Sequence, residues 1–231
     1  MTQAAADGVR PTGKRRGGPA RIDRAAIVEA ARGMAPKDVT MQAIANVLGV
    51  DRTAINYHVS NRDGLLQLVA ADVFEEQFES VVLLEEHGWE VVLRAWASAV
   101  RNSMVETGVL ANYYRISGDN LAVLRPAETV LQSMLRAGFD EEFADRTLVF
   151  VTNFAMAAGR DAVMVRAPEG HPQAPELRRA LEEHLDEGGY EAIRRMAETG
   201  LNAAGDVDRQ FAFEVDLVVA AVAARSSART A

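Results

Sequence analysis

TMQAIANVLGVDRTAINYHVSNRDGLL, residues 40–66, reads as a short helix, a glycine turn, a second short helix and the start of a third. That order is the pattern of a helix-turn-helix that reads DNA. Thr40 suits the N-cap of the first of these helices, and Val39 before it can staple onto Ile44. Ile44, Ala45 and Leu48 fall on one helical face. Gly49 stands where the chain must turn sharply, and without a Cβ it tolerates positive φ. Asp51 can cap the next helix, whose Ile55 then points back towards Ala45. The small side chain at 45 lets the two helices cross at close range. Val50 and Val59 complete a miniature core. Arg52, Thr53, Asn56, Tyr57 and His58 are left largely outside it, a face rich in groups that bond bases and phosphates.

The spacing Ala-x-x-x-Gly-x-x-x-x-x-Ile alone arises in any helical hairpin. The longer string is more specific. Thr40, Ile44-Ala45, Gly49-Val50, Ile55, His58-Val59, Arg62-Asp63 and Leu65-Leu66 together resemble the DNA-binding domain of the tetracycline repressor (TetR) family. RIDRAAIVEAA, residues 21–31, resembles that family's first helix. The resemblance implies an all-α chain, with an N-terminal three-helix helix-turn-helix domain and a larger helical ligand-binding and dimerisation domain. The expected division is a basic arm over 1–20, a DNA-binding domain over 21–66 and a regulatory domain over 67–231.

Bulk composition is compatible with this. A chain of 231 residues can bury a substantial core. It has no cysteine, which excludes disulfides, thiolate metal sites and cysteine nucleophiles. No stretch reaches the ~20 uninterrupted apolar residues of a membrane helix, and the N-terminus lacks the apolar core of a signal peptide. A soluble cytoplasmic protein without membrane contact is expected.

A net charge of −8 suits a DNA binder poorly until its distribution is considered. Residues 1–66 hold ten Arg/Lys and six Asp/Glu, a net +4, so residues 67–231 carry −12. Only the N-terminal part is then expected to approach a polyanion. Residues 1–20 are rich in Gly, Ala, Pro and Arg and read as disordered. Lys14, Arg15, Arg16 and Arg21 could be a solvated tail; beside a DNA-binding domain, a minor-groove arm is the favoured reading.

The first helix should start at Asp23, with Ile22 stapled to Ile27 and an inner stripe of Ile27, Ala30, Ala31 and Met34; Pro36 bars its continuation. The link from Ala31 to Thr40 is about four residues shorter than is usual in the family, which puts the packing of this helix in question. A long connector helix is expected from about 61 to 86, then helices near 89–107, 109–117, 120–137, 140–166, 175–187, 189–199 and 206–226. No segment alternates with period two, so no sheet is expected.

By its match to the family motif, the recognition helix is residues 51–58. Arg52 and Thr53 sit at its N-terminal end, the part that usually meets base edges. The family usually has tyrosine where Asn56 stands; here the aromatic is Tyr57, so the operator contacts can differ. Thr40, Gln42 and Arg62 match family positions that hold phosphates. A twofold dimer would recognise a palindromic operator. Residues 206–225 resemble the closing helix of the TetR-type regulatory domain, which in the family pairs with its neighbour and their symmetry mates. Residues 148–159, with small Ala155, Ala157, Ala158 and Gly159, would be the close-packing partner.

In the family the middle helices enclose a small-molecule pocket. Here that region supplies Phe74, Phe78, Trp96, Met104, Tyr113, Phe150, Asn153 and Phe154, and Tyr114, Met134 and Met156 beside them. Each alone is an ordinary core residue. Together they make a wall for a flattish, mostly apolar effector, with Asn112, Arg115, Asn153 and Arg160 as its polar contacts. Phe78 occupies the place of the connector-helix histidine in the family's tetracycline–magnesium site, so neither tetracycline nor a metal is expected. No cofactor is implied. No GxSxG, phosphate-cradling glycine loop or HExxH is present, and the adjacent Glu pairs at 85–86, 141–142 and 182–183 diverge on a helix. The expected function is a ligand-released, non-enzymatic repressor; the alternative is a dimeric regulator with no small-molecule ligand.

Overall fold

The computed structural model describes residues 22–32, 34–79, 81–84, 86–115, 123–167, 173–184, 190–198 and 207–230. Among these the chain is all-α, with no strand. Helices α1 (Arg24–Arg32), α2 (Met41–Leu48) and α3 (Arg52–Asn56) lead into α4 (Arg62–Glu79). Then come α5 (Trp89–Thr107), a 3-10 turn (Gly108–Asn112), α6 (Leu124–Arg136) and α7 (Glu141–Arg166). The series closes with α8 (Gln173–His184), α9 (Glu191–Glu198) and α10 (Val207–Thr230).

The small helices form for local reasons. Asp23 accepts from the Ala26 amide at 2.8 Å, and Thr40 accepts from Ala43 at 3.1 Å, so both cap orphan donors. Gly49 closes α2 at φ 66°, ψ 35°, and the next amide, of Val50, returns to Ala45 at 3.0 Å. Asp51 caps α3 by accepting from Thr53 at 2.7 Å, which holds its carboxylate below the usual pKa. Asp140 does the same for α7 at Phe143, 2.9 Å away.

Ile27, Val39, Ile44, Ala45, Ile55, Leu65 and Leu66 form the core of the N-terminal head, each at most 1 % exposed. Burying each of the larger ones contributes about 1.5–3 kcal/mol, enough to hold five-residue α3 in place although alone it would not persist. A second core gathers Phe74, Phe78, Trp96, Val100, Met104, Val130 and Met134 from α4 to α6, with α7 and α10 packed on it. Helix α4 serves both: Val69 belongs to the first and Ala70 to the second.

Two expectations about element length change. The connector helix stops at Glu79 rather than near 86, and Val81–Leu84 run without regular structure after one last turn, Val81 to Phe78 at 3.0 Å. β-Branched Val81 and Val82 disfavour continuation. The segment expected as a helix over 109–117 is a 3-10 turn over its described part, with Gly108 at φ 60° breaking the line from α5.

Gly159, expected to pack closely with the closing helix, packs against α5. A Cβ there would lie 2.5 Å from Met104 Cβ and 2.9 Å from the Arg101 carbonyl, so its bareness lets α7 cross α5 within the protomer. Arg101 is 6 % exposed, pairs with Asp208, and lies 4.9 Å over the Phe211 ring, fastening α10 to α5. Arg166 joins Asp208 from α7 at 3.3 Å, and Arg94 reaches Asp216 at 2.9 Å.

Helix α7 is more apolar than the sequence reading allowed: by length and composition it could cross a membrane. Only 28 % of its most apolar window is buried. Its uncovered residues include Val149 and Phe150; Phe150 shares a groove with exposed Leu217 of α10, on which Phe213 is also exposed.

Candidate DNA-reading face and effector cavity

Helix α3 is seated by one residue and presents four. Ile55 is fully buried, whereas Arg52, Thr53, Asn56 and Tyr57 are exposed, Tyr57 by 86 %. Tyr57 follows the last helical residue with αR geometry, so the reading segment is a turn shorter than the expected 51–58. His58 is half-buried beneath it. Gln42 is exposed on α2, its amide donating to Asn46 at 2.9 Å, and half-buried Thr40 sits at the start of that helix.

Arg62 is placed differently from the expected phosphate contact. Its Nε donates to the Val39 carbonyl at 3.1 Å and its terminal nitrogen to Pro36 at 2.8 Å. The guanidinium therefore clasps the short link before α2 to the first turn of α4. This also accounts for how the head tolerates that link. Arg32, at the end of α1, fastens the other side through Asp72 and Glu76 of α4, the second at 2.7 Å. Lys14, Arg15, Arg16 and Arg21 lie outside the described residues.

Between α4, α5, α6 and α7 lies a cavity of about 210 Å³. Phe74, Phe78, Trp96 and Asn153, four of the candidate ligand residues, line it. So do Val100, Tyr114, Val123, Ala127, Leu148, Val149, Thr152 and Met156. Its walls are aromatic: Phe74 stacks on Tyr114 with centroids 4.1 Å apart, and Phe78 meets Trp96 edge-on at 5.4 Å. The Trp96 Nε1 donates to Thr152 Oγ1 at 3.0 Å, and that hydroxyl donates to the Leu148 carbonyl at 2.7 Å. Asn153 is the remaining amide at the wall.

Five expected ligand residues stand elsewhere. Met104 is wholly buried under Gly159, and Asn112 is exposed at the last position of the 3-10 turn. Tyr113 packs against both cores. Phe150 and Phe154 stack at 6.4 Å, and Phe154 goes on to Phe211 of α10 at 5.7 Å, on the far side of α7. Phe150 borders an open groove of about 850 Å³ between α7 and α10, with Phe143, Leu217 and Val222. The aliphatic lining residues were not distinguishable in the sequence, because their side chains fit any core.

A helix-turn-helix head and an all-α body share α4, and the body holds an apolar cavity. Solved structures share this fold. A possible TetR family transcriptional regulator from Streptomyces coelicolor A3(2) superposes with a TM-score of 0.67 at 21 % identity, over 87 % of this chain and 99 % of that one. ActR, a TetR family protein of Streptomyces coelicolor in complex with actinorhodin, gives 0.65 at 21 % identity, over 89 % and 97 %. A TetR variant from Acinetobacter baumannii AYE in complex with minocycline gives 0.57 at 18 %, over 88 % and 95 %. The chain has the TetR-type fold. No protein-family model matches it.

Proposed function

We propose that this chain is a TetR-family transcriptional regulator: a cytoplasmic, non-enzymatic repressor that binds a palindromic operator as a homodimer and leaves it when a small, mostly apolar effector binds. In this reading residues 21–66 read DNA, residues 67–231 sense and dimerise, and the basic residues of 1–20 add minor-groove contacts. The observation that carries it is the contrast on α3, where Ile55 is fully buried and Tyr57 is 86 % exposed. A five-residue helix so firmly seated yet open on its polar side suits insertion into a major groove. Arg52 and Thr53 would meet base edges; Asn56, Tyr57, His58, Thr40 and Gln42 would meet bases or phosphates.

The dimer reading is supported by the uncovered apolar side of α7 and α10, with Val149, Phe150, Phe213 and Leu217 each more than half exposed. The release mechanism is supported by the 3-10 turn. Tyr114 lines the cavity and stacks on Phe74 of α4, while Tyr113 and Leu110 pack on the head core. An occupant pushing Phe74 and Tyr114 apart would tilt α4 and with it the head. DNA and effector must then weaken each other's binding by the same factor.

The test is a gel shift on the DNA upstream of the chain's own coding sequence, repeated with a panel of drug-like compounds. Retention of that DNA and its release by one compound are expected. Failure to retain any DNA would sink the proposal. Retention that no compound relieves would favour a regulator governed by a protein partner or by abundance. The cavity volume, about 210 Å³, speaks for that second reading, being smaller than the roughly 300–1,000 Å³ of ordinary ligand pockets.

A further inference from the structure

Arg115 and Arg160 each hydrogen-bond a carbonyl at the end of the 3-10 turn, and their charges act on one another. Arg160 Nε points at the Ala111 carbonyl, 3.4 Å away, and Arg115 donates to the carbonyls of Asn112 at 3.0 Å and Tyr114 at 2.7 Å. Neither guanidinium meets a carboxylate among the described residues, although the surrounding body is strongly acidic overall. Other arginines of the body do find acids: Arg94, Arg101, Arg146 and Arg166 are each paired.

Two like charges near one another are costly unless an anion joins them, the more so where one is half-buried. Burial, and then the Arg115 cation, lower the Arg160 pKa below its ordinary value. Carbonyl oxygens alone leave most of the ten N–H donors of two guanidiniums unused. A planar carboxylate is the group that two such forks bridge best.

Neither arginine is among the residues that line the cavity, but both follow lining residues along the chain. Arg160 follows Met156 by four residues and Asn153 by seven on α7, so it continues the stripe that lines the cavity one turn further on. Arg115 follows Tyr114, another lining residue. The 3-10 turn that both cations touch carries Leu110 and, just beyond it, Tyr113, the side chains shared by the two cores.

We propose that Arg115 and Arg160 form the anion-binding end of the effector site, and that the effector is a flat apolar acid whose ring system enters the aromatic cavity while its carboxylate bridges the two guanidiniums. This rests on the regulator reading above. The bridge ties α7 to the end of the 3-10 turn and thereby presses on Tyr113 and Tyr114, which gives the charged end of the ligand a direct hold on the head.

The test is calorimetric titration of the full chain, without DNA, with 2-naphthoate and with its neutral isostere 2-naphthamide. The acid should bind about tenfold or more tightly than the amide. Arg160→Gln and the exposed Arg115→Gln should each bring the acid down towards the amide without changing the amide. Circular dichroism of both variants guards against misfolding, and Arg115→Gln carries the test if Arg160→Gln unfolds. Equal affinity of acid and amide, no measurable binding of the acid, or an unaltered preference in folded variants would each overturn the inference. Because no DNA is present, its failure is distinguishable from failure of the regulator reading, which the gel shift reports.

Discussion

Tyr114 stacks on Phe74 with ring centroids 4.1 Å apart and planes inclined by 26°, joining the end of the 3-10 turn to the middle of α4. It is the shortest ring contact among those at the cavity. Both rings are almost fully buried. Removing one, in Phe74→Ala, should therefore cost about 3–5 kcal/mol of stability, measured by urea unfolding. Phe74→Leu should cost less and leave a folded protein in which effector no longer releases DNA. Normal release by that variant would show that this stack transmits nothing.

Arg52 is a residue on α3 proposed to meet a base edge. Arg52→Ala should weaken operator binding by about 1–3 kcal/mol and flatten the preference at one base pair of each half-site. A competition gel shift against substituted operators would measure both. Unchanged affinity and unchanged preference would reject the proposed readout. Arg62→Ala should instead destabilise the head, since its donors serve the Val39 and Pro36 carbonyls.

Gly159→Ala should destabilise by about 1–3 kcal/mol, because the new methyl would have to displace Met104 and the Arg101 backbone. Gly64→Ala is the contrasting change. It lies in the first turn of α4 with its nearest neighbour, Asn61 Oδ1, at an ordinary 3.5 Å, and should stabilise by about 0.5–1 kcal/mol. Thermal unfolding of the two variants separates close helix crossing from simple propensity.

Phe213 and Leu217 are 57 % and 55 % exposed on α10. Placing charge there, as in Phe213→Glu with Leu217→Glu, should shift the protein from dimer to monomer in sedimentation equilibrium and abolish binding to a two-half-site operator. A dimer that survives both changes would place the interface elsewhere.

Asp208 titrates below its ordinary 3.8, chiefly because Arg101 hydrogen-bonds its carboxylate, with Arg166 adding to the effect. A depressed folded pKa contributes stability that is present above 3.8 and is lost as pH falls through the folded value. Asp208→Asn should therefore narrow the difference in stability between neutral and strongly acidic solution. An acid-unfolding curve identical to that of the wild type would contradict the role assigned to this pair.

Much of this was readable from residues alone, and the reasons differ along the chain. Thr40, Gly49 and Asp51 announced α2 and α3 because capping and positive φ depend on the residue itself and its nearest neighbours. The expected ranges 89–107 and 140–166 fall within a residue of α5 and α7. The end of α4 was not readable, since β-branched residues only weaken a helix and do not stop it. The split of Phe150 and Phe154 from Asn153 also escaped. Helix α7 is apolar on several sides, and periodicity cannot say which side faces the cavity and which faces α10. The carbonyl bonds of Arg62 were not legible because a cation near a helix start serves a phosphate or a carbonyl equally well.

The clasp that Arg62 makes gives the head a mechanical character. By holding the residues before α2 to the first turn of α4, it turns three small helices and the start of a fourth into one stiff arm. Phe74 lies about 18 Å along α4 from Arg62. A rotation of roughly 5° pivoting at Phe74 would then carry the arm sideways by about 1.6 Å, half the length of a hydrogen bond. Displacements too small to reorganise the cavity are thus magnified where the bases would be, and the Arg62 clasp, with Arg32 on the other side, keeps that arm stiff.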